Sequence, residues 1–359
     1  MPSNQLYDTW KKRIMELRPG QRITQIRGFV WLIIGIYLSR SVNLSKIAYK
    51  IPGEAKLTST TRRLSRLLDN SAIRVRDWYE PIARNWLASQ FQTVHEIRLL
   101  VDGTKIGFGH HLLIVCLAYR NRSIPIAWTW VKHVRGHSTG GKQLALLAYV
   151  RKLLPKGAAV FLAGDTEFGP VEVLRQLDKW GWFYVLRQKT KTHVWLNEQK
   201  GWQDFGSFVH KAGESVWMGR AYLSESHIYR VNLWAYWKIG EKQPWCLATN
   251  LPDHKMTLSY YLRRMWIEEM FGDFKKHGFD LESTMLHHFL RLSRLTLAVA
   301  LLYVWLISVG GRTIRDGLRH LVDRVDRRDL SIFQIGLRLI ERKLTNALPF
   351  HSIPLFTYL

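Results

Sequence analysis

The sequence predicts an α/β protein: a mixed sheet flanked by helices, with an all-β insertion, an N-terminal helical region and C-terminal helices. Three observations predict it. Strand-like runs are scarce before about residue 92 and begin abruptly at residue 96. From there apolar, β-branched runs alternate with segments of helical spacing. A stretch rich in Trp, Tyr, Val and Gly, from Gln188 to about Gln243, carries alternating segments such as Tyr229–Trp237 and no helical period.

Within residues 1–92, Leu44–Tyr49 is followed by the breaker Pro52-Gly53 and then by Ser59–Leu68, which carries Arg62, Arg63 and Arg66. A helix, a turn and a second helix with a basic face fit a helix-turn-helix entering the major groove, and equally a solvated basic helix. The 1–92 region is therefore expected to be a helical DNA-binding domain. Ile97–Val101 then leads into Asp102-Gly103, and His111–Tyr119 and Ser123–Trp130 are further strands, so three consecutive strands form an antiparallel meander. Gly141–Leu154 has helical spacing and ends at Pro155. Ala158–Ala163 runs into Gly164-Asp165, a helix covers about Pro170–Trp180, and Trp182–Arg187 is a fifth strand. The order β-β-β-α-β-α-β is that of the ribonuclease-H-like plan. A strand at Trp245–Leu251 leads to a helix from about Thr257 to His277, and more helices follow. Domain limits are expected at 1–92, 93–311 with the insertion at about 189–245, and 312–359.

The chain has 359 residues, 47% of them hydrophobic, enough for one large domain or two to three smaller ones with real cores, so disorder is not expected. Lys and Arg number 53 against 28 Asp and Glu, a formal charge of +25. That balance suits a polyanion, nucleic acid ahead of an anionic membrane surface. Cys116 and Cys246 sit far apart in apolar runs and are expected to be buried thiols in a reducing compartment. The doublets His110-His111 and His287-His288 have no matching ligand cluster in sequence. The apolar runs Phe29–Leu38 and Leu295–Gly310 fall short of the roughly 20 residues of a spanning helix and are expected in a core, so no membrane is implied. No apolar segment follows the charges of MPSNQLYDTWKKR at signal-peptide distance, and a cytoplasmic location is expected.

Asp102 and Asp165 end the first and fourth strands, which are parallel neighbours in the ribonuclease-H-like plan, so both carboxylates are expected at one sheet edge. Taken singly, either Asp is also ordinary turn chemistry. The helix around residue 268 adds a third acid. Taking Tyr261 as zero and advancing 100° per residue, Arg264, Glu268 and Lys275 fall at roughly −60°, −20° and −40°, one narrow stripe. Trp266, Ile267, Met270, Phe271 and Phe274 spread over roughly 140° to 280°, a face to dock on the sheet, and Glu269 points away from the stripe. The alternative is a solvated face of paired charges. Gly272, at roughly 20°, is expected to let a DNA backbone come close.

Tyr261, Arg264, Glu268 and Lys275 reproduce the signature Y-x2-R-x3-E-x6-K. The chain therefore resembles the bacterial cut-and-paste insertion-sequence transposases, whose DDE catalytic core carries a β insertion before the last acid. The resemblance covers about Arg98 to Lys275 and, more loosely, the N-terminal helices. It implies Asp102, Asp165 and Glu268 as catalytic ligands of two Mg²⁺ ions, with Mn²⁺ as a substitute. Arg264, Lys275 and Tyr261 are implied on DNA phosphates, and Trp245, in Trp245–Pro252, stacked on a base flipped out near the transposon end. Thr166 stands where the family often has Arg. The implied partners are double-stranded DNA, as terminal inverted repeats and as target, and a second copy of the chain on paired ends. The implied reaction is in-line attack by water on the end, then attack by the freed 3′-hydroxyl. The alternatives are a catalytically inactive transposase-derived DNA-binding protein and a ribonuclease-H-like nuclease without strand transfer.

Overall fold

The computed structural model of the chain describes residues 2–107, 109–132, 138–196 and 201–349. Five helices open it: α1 (Pro2–Leu17), α2 (Ile23–Ser39), α3 (Leu44–Ala48), α4 (Leu57–Asp69) and α5 (Val75–Val94). Then come β1 (Glu96–Ile106), β2 (His110–Tyr119), β3 (Arg122–Lys132), α6 (Gly140–Arg151), β4 (Ala159–Gly164), α7 (Val171–Trp180) and β5 (Phe183–Gln188). The stretch expected as an insertion holds β6 (His193–Trp195), β7 (Gln203–Asp204), β8 (Ser215–Leu223) and β9 (Tyr229–Tyr236). After it come β10 (Trp245–Thr249), α8 (His254–Tyr261), α9 (Met265–Phe274), α10 (Phe289–Arg315) and α11 (Ile332–Thr345).

The chain divides into two compact units, one of Met1–Ser89, Lys105–His110 and Glu269–Leu359, the other of Gln90–Thr104 and His111–Glu268. Helices from both ends pack together because each exposes an apolar stripe that its own end of the chain cannot cover. Residues 350–359 of the expected C-terminal region lie outside the described residues.

In the helical unit, α10 is long and apolar enough to cross a membrane by length and composition, yet it is buried, packing on α2, α4 and α11. The run Phe29–Tyr37 of α2 is buried as well, apart from the half-buried Trp31. Backbone meets backbone where α10 crosses α11. A Cβ on Gly310 would lie 1.9 Å from the Ile332 carbonyl oxygen, and one on Gly336 would lie 2.0 Å from that of Leu306. Arg294 of α10, itself buried, donates to the carbonyls of Leu68 (2.8 Å) and Ile73 (3.0 Å), taking up acceptors at and beyond the end of α4.

The other unit is built on a mixed sheet in the order β3-β2-β1-β4-β5-β10-β9-β8-β6-β7. β1, β4 and β5 are mutually parallel, while β10 runs antiparallel to both β5 and β9. The insertion strands therefore extend the main sheet through β10. All of β10 is buried, as expected of an interior strand covered on both faces. The Gly181 C-cap, with φ 69°, closes α7 by accepting the left-handed conformation that other residues resist, and this turns the chain into β5.

One expected element is not continuous. In place of a helix over Thr257–His277, α8 ends at Tyr261, Leu262–Arg264 is a 3-10 turn, and α9 ends at Phe274, one residue before Lys275. A 3-10 turn advances about 120° per residue where an α-helix advances 100°, so three such residues move the phase by roughly 60° and dissolve the single stripe.

Candidate active site

β1 and β4 pair in register as far as Val101↔Gly164, and Asp102 and Asp165 are the next residue on each. Asp102 is not a turn residue: β1 continues to Ile106. Asp165 leaves β4 with φ −82° and ψ 179° and leads into a 3-10 turn, Thr166–Phe168. A Cβ on Gly164 would meet Leu186 and Val101 side chains at 2.8 Å, so a glycine lets three strands close up just before Asp165.

Arg264 enters this edge from the 3-10 turn. Its Nη1 lies 2.7 Å from Glu268 Oε1 and 3.6 Å from Asp102 Oδ2, with the guanidinium buried and the Glu268 carboxylate half-exposed. Asp102 Oδ1 also accepts from the Gly103 N–H at 2.7 Å. Burial, opposed by Arg264 and reinforced by the Asp165 and Glu268 charges, pushes Asp102 up to about 7. For Arg264 burial works in the lowering direction, but Tyr261, Glu268, Asp102 and Asp165 outweigh it and hold the group above the usual arginine range. Arg264 thus pairs with Glu268 and Asp102, and the Asp165 charge acts on it as well.

Carboxylate oxygens are the donors a hard divalent cation takes, and Asp102, raised by its own burial and by two like charges, marks an excess of negative charge that such a cation would offset. The acids fit Mg²⁺ in donor chemistry and in charge. Among the described residues no three His, Cys, Asp or Glu are close enough to hold one ion together; here a guanidinium lies among the acids instead.

The other residues of the signature differ from expectation. Tyr261 is 2% exposed, its ring 5.0 Å from that of Trp245 edge to face. Its hydroxyl is buried and donates no hydrogen bond among the described residues, while Arg264, which lies toward it as a donor, Arg187 and Asp165 are its charged neighbours. Only that hydroxyl end could reach a phosphate. Trp245 is 4% exposed and belongs to a cluster with Phe161, Val185, Trp234, Leu247, Leu251 and Tyr261, with Lys238 Nζ 5.4 Å from its ring centroid. In the unbound chain Tyr261, Tyr236 and Lys238 cover its ring, so a base could stack there only if these side chains moved. Lys275 is engaged with Glu282 at 3.0 Å and with the Lys105 carbonyl at 3.3 Å, so its charge is already paired. Gly272 makes room for His277, whose Nδ1 would lie 2.9 Å from an added Cβ, rather than for a DNA backbone.

A second buried group went unread in the sequence. His111 Nε2 lies 2.9 Å from Glu167 Oε2, and Ser138 donates to Glu167 Oε1 through its hydroxyl (2.6 Å) and its N–H (2.7 Å). Gln143 donates to the Glu167 carbonyl at 2.7 Å. Burial would raise Glu167, but the bonds from His111 and Ser138 prevail and lower it. This network clamps the turn that begins at Asp165 and sits over Gly103, where a Cβ would lie 2.3 Å from His111 Nε2. The signal in sequence was a Glu two residues after Asp165; nothing local tied it to residue 111. The neighbouring His110 instead meets the His287 carbonyl at 2.9 Å.

No protein-family model and no curated protein matches the chain. Among solved structures it is similar to a piggyBac transposase in a synaptic complex with hairpin DNA, determined by cryo-EM, with 12% identity, a TM-score of 0.41, and coverage of 98% of this chain and 83% of that one. That likeness is too slight to transfer any property of that protein to this chain.

Proposed function

We propose that the chain is a DNA transposase of the bacterial insertion-sequence DDE group, with a ribonuclease-H-like core, which cleaves the ends of its element and joins them to target DNA. The observation that carries this reading is the convergence of Asp102, Asp165 and Glu268, from two adjacent parallel strands and a helix, around one buried guanidinium. The Y-x2-R-x3-E-x6-K pattern supports it separately, by the resemblance it carries. The strand order 3-2-1-4-5 with β1, β4 and β5 parallel is what the ribonuclease-H-like plan requires.

Asp102, Asp165 and Glu268 would hold two Mg²⁺ ions, or Mn²⁺ in their place. Such ions, when bound, polarise the scissile phosphate and lower the pKa of the attacking hydroxyl. Arg264, whose cation is then no longer needed by the acids, is free to turn to a phosphate oxygen, where a planar guanidinium binds well. The Tyr261 hydroxyl is an unused donor beside it. The His111–Glu167–Ser138 network keeps the Asp165 turn fixed. DNA is the partner and a homodimer on paired ends the working form, in a bacterial cytoplasm.

Asp102→Ala, Asp165→Ala and Glu268→Ala are each expected to abolish metal-dependent strand cleavage on the inverted repeats flanking the gene while leaving their binding intact. Cleavage retained by Glu268→Ala in Mg²⁺ overturns the triad. A wild-type chain that binds the ends without nicking them is an inactive descendant; one that nicks without joining ends to target is a nuclease.

A further inference from the structure

The helical unit contains a cavity of about 540 Å³ between α1, α2 and α4. Its size is within the ~300–1,000 Å³ range of small-molecule sites. Arg27 of α2 and Arg63 and Arg66 of α4 line it, and no carboxylate does. All three arginines are exposed, and among the described residues none of them forms an ion pair. One wall is aromatic: Tyr7 and Trp31 are stacked with centroids 4.7 Å apart, and both are half-buried. At the floor, Gly28 of α2 lets α4 approach, since an added Cβ would lie 3.2 Å from Leu67. Asn70, at the rim, spends its carbonyl oxygen on the Ala72 N–H at 3.0 Å and keeps its amide hydrogens.

We infer that this cavity is a nucleotide subsite, taking one unpaired nucleotide of the bound DNA with its phosphate on Arg27, Arg63 and Arg66 and its base against the Tyr7–Trp31 wall. Three unpaired guanidiniums in a concavity free of carboxylates select an anion. An aromatic wall beside them selects an anion that carries a flat ring, which inorganic phosphate and lipid headgroups lack. A concavity of this size admits a single nucleotide and not a duplex, which is met by protruding helices or strands. The inference rests on the proposed function for the identity of the polymer, DNA; the site itself is separate from the acids.

The test uses the full chain and four labelled probes: a fully paired short duplex, the same duplex with a one-nucleotide bulge, oligothymidine and oligouridine. The wild type is expected to bind the bulged duplex roughly tenfold more tightly than the paired one, the scale of one base stacked on an aromatic ring. Trp31→Leu, which keeps apolar volume in the wall, is expected to remove that preference and leave paired-duplex affinity unchanged. Arg63→Gln, on an exposed position, is expected to lower the slope of log K against log salt on the bulged probe by about 0.7–0.9. A preference retained in Trp31→Leu, or a slope unchanged in Arg63→Gln, overturns the subsite. Paired and bulged duplexes bound equally by the wild type also overturn it and leave the transposase reading standing. A wild type that binds no DNA, or an RNA oligomer more tightly than any of the DNA probes, overturns both.

Discussion

At the scale of the residue, the site turns on Arg264 and Tyr261. Arg264 is the counter-charge of a buried carboxylate, and removing one member of a buried pair strands the other. Two features limit the cost: Glu268 is half-exposed, and Asp102, already raised to about 7, can take a proton instead of remaining charged. Arg264→Gln is therefore expected to lower metal-free stability by on the order of 2 kcal/mol, below the 3–5 typical of a fully buried pair. Chemical denaturation at neutral pH measures it, and no change in midpoint means the guanidinium is not the counter-charge of the acids. Tyr261 makes the opposite case. Its hydroxyl is buried beside Arg264 and donates to no acceptor among the described residues, so Tyr261→Phe is expected to change stability by less than about 1 kcal/mol in either direction. Strand cleavage is expected to fall in the same variant if the hydroxyl serves the phosphate. A destabilised Tyr261→Phe with normal cleavage makes Tyr261 a packing residue alone.

At the scale of the element, two features could not be read from periodicity. The 3-10 turn at Leu262–Arg264 sets Arg264 inward while Glu268 stays half-exposed. A wheel drawn at a constant 100° had put both on one stripe, and the grouping of Arg264 with Glu268 survived because they are four residues apart within one helical run. The crossing of α10 and α11 is set by glycine in both helices. Gly336→Ala is expected to destabilise the chain by about 1–3 kcal/mol, because its methyl would meet the Leu306 carbonyl rather than a side chain that can move. Helicity alone favours Ala over Gly by up to about 1 kcal/mol, so a stabilised variant would show that the two backbones can separate at no cost.

At the scale of the whole molecule, the net charge of +25 governs encounter with a polyanion. Affinity for any duplex DNA is expected to fall linearly on a log–log plot as salt rises, by about 0.9 per phosphate neutralised. Fluorescence anisotropy on a random duplex checks this; affinity independent of salt would show that the basic excess does not face DNA. The same excess leaves Arg27, Arg63 and Arg66 without acidic partners, whereas Lys275 has found Glu282. Which cations remain available depends on the fold, not on the count.

Several features of this protein were legible in the sequence because they depend on local rules. Alternating apolar runs marked the strands from β1 to β5 in order, and Asp102 and Asp165 could be placed beside them because each directly follows a strand's apolar run. Glu268 was legible because its signature neighbours lie within one stretch of chain. What the tertiary structure alone decided are the matters of packing between distant segments. Trp245 had the place of a base-stacking residue in the motif, yet β10 lies inside the sheet, between β5 and β9, and its side chains are covered on both faces. His111 on β2 and Glu167 in the turn after β4 are partners across β1, a contact no spacing announces. Helices from the two ends of the chain share one unit, since an apolar stripe specifies that it must be buried and not what buries it. The acids themselves follow the same division: their positions in the chain are a property of the sequence, but the guanidinium among them is a property of the fold.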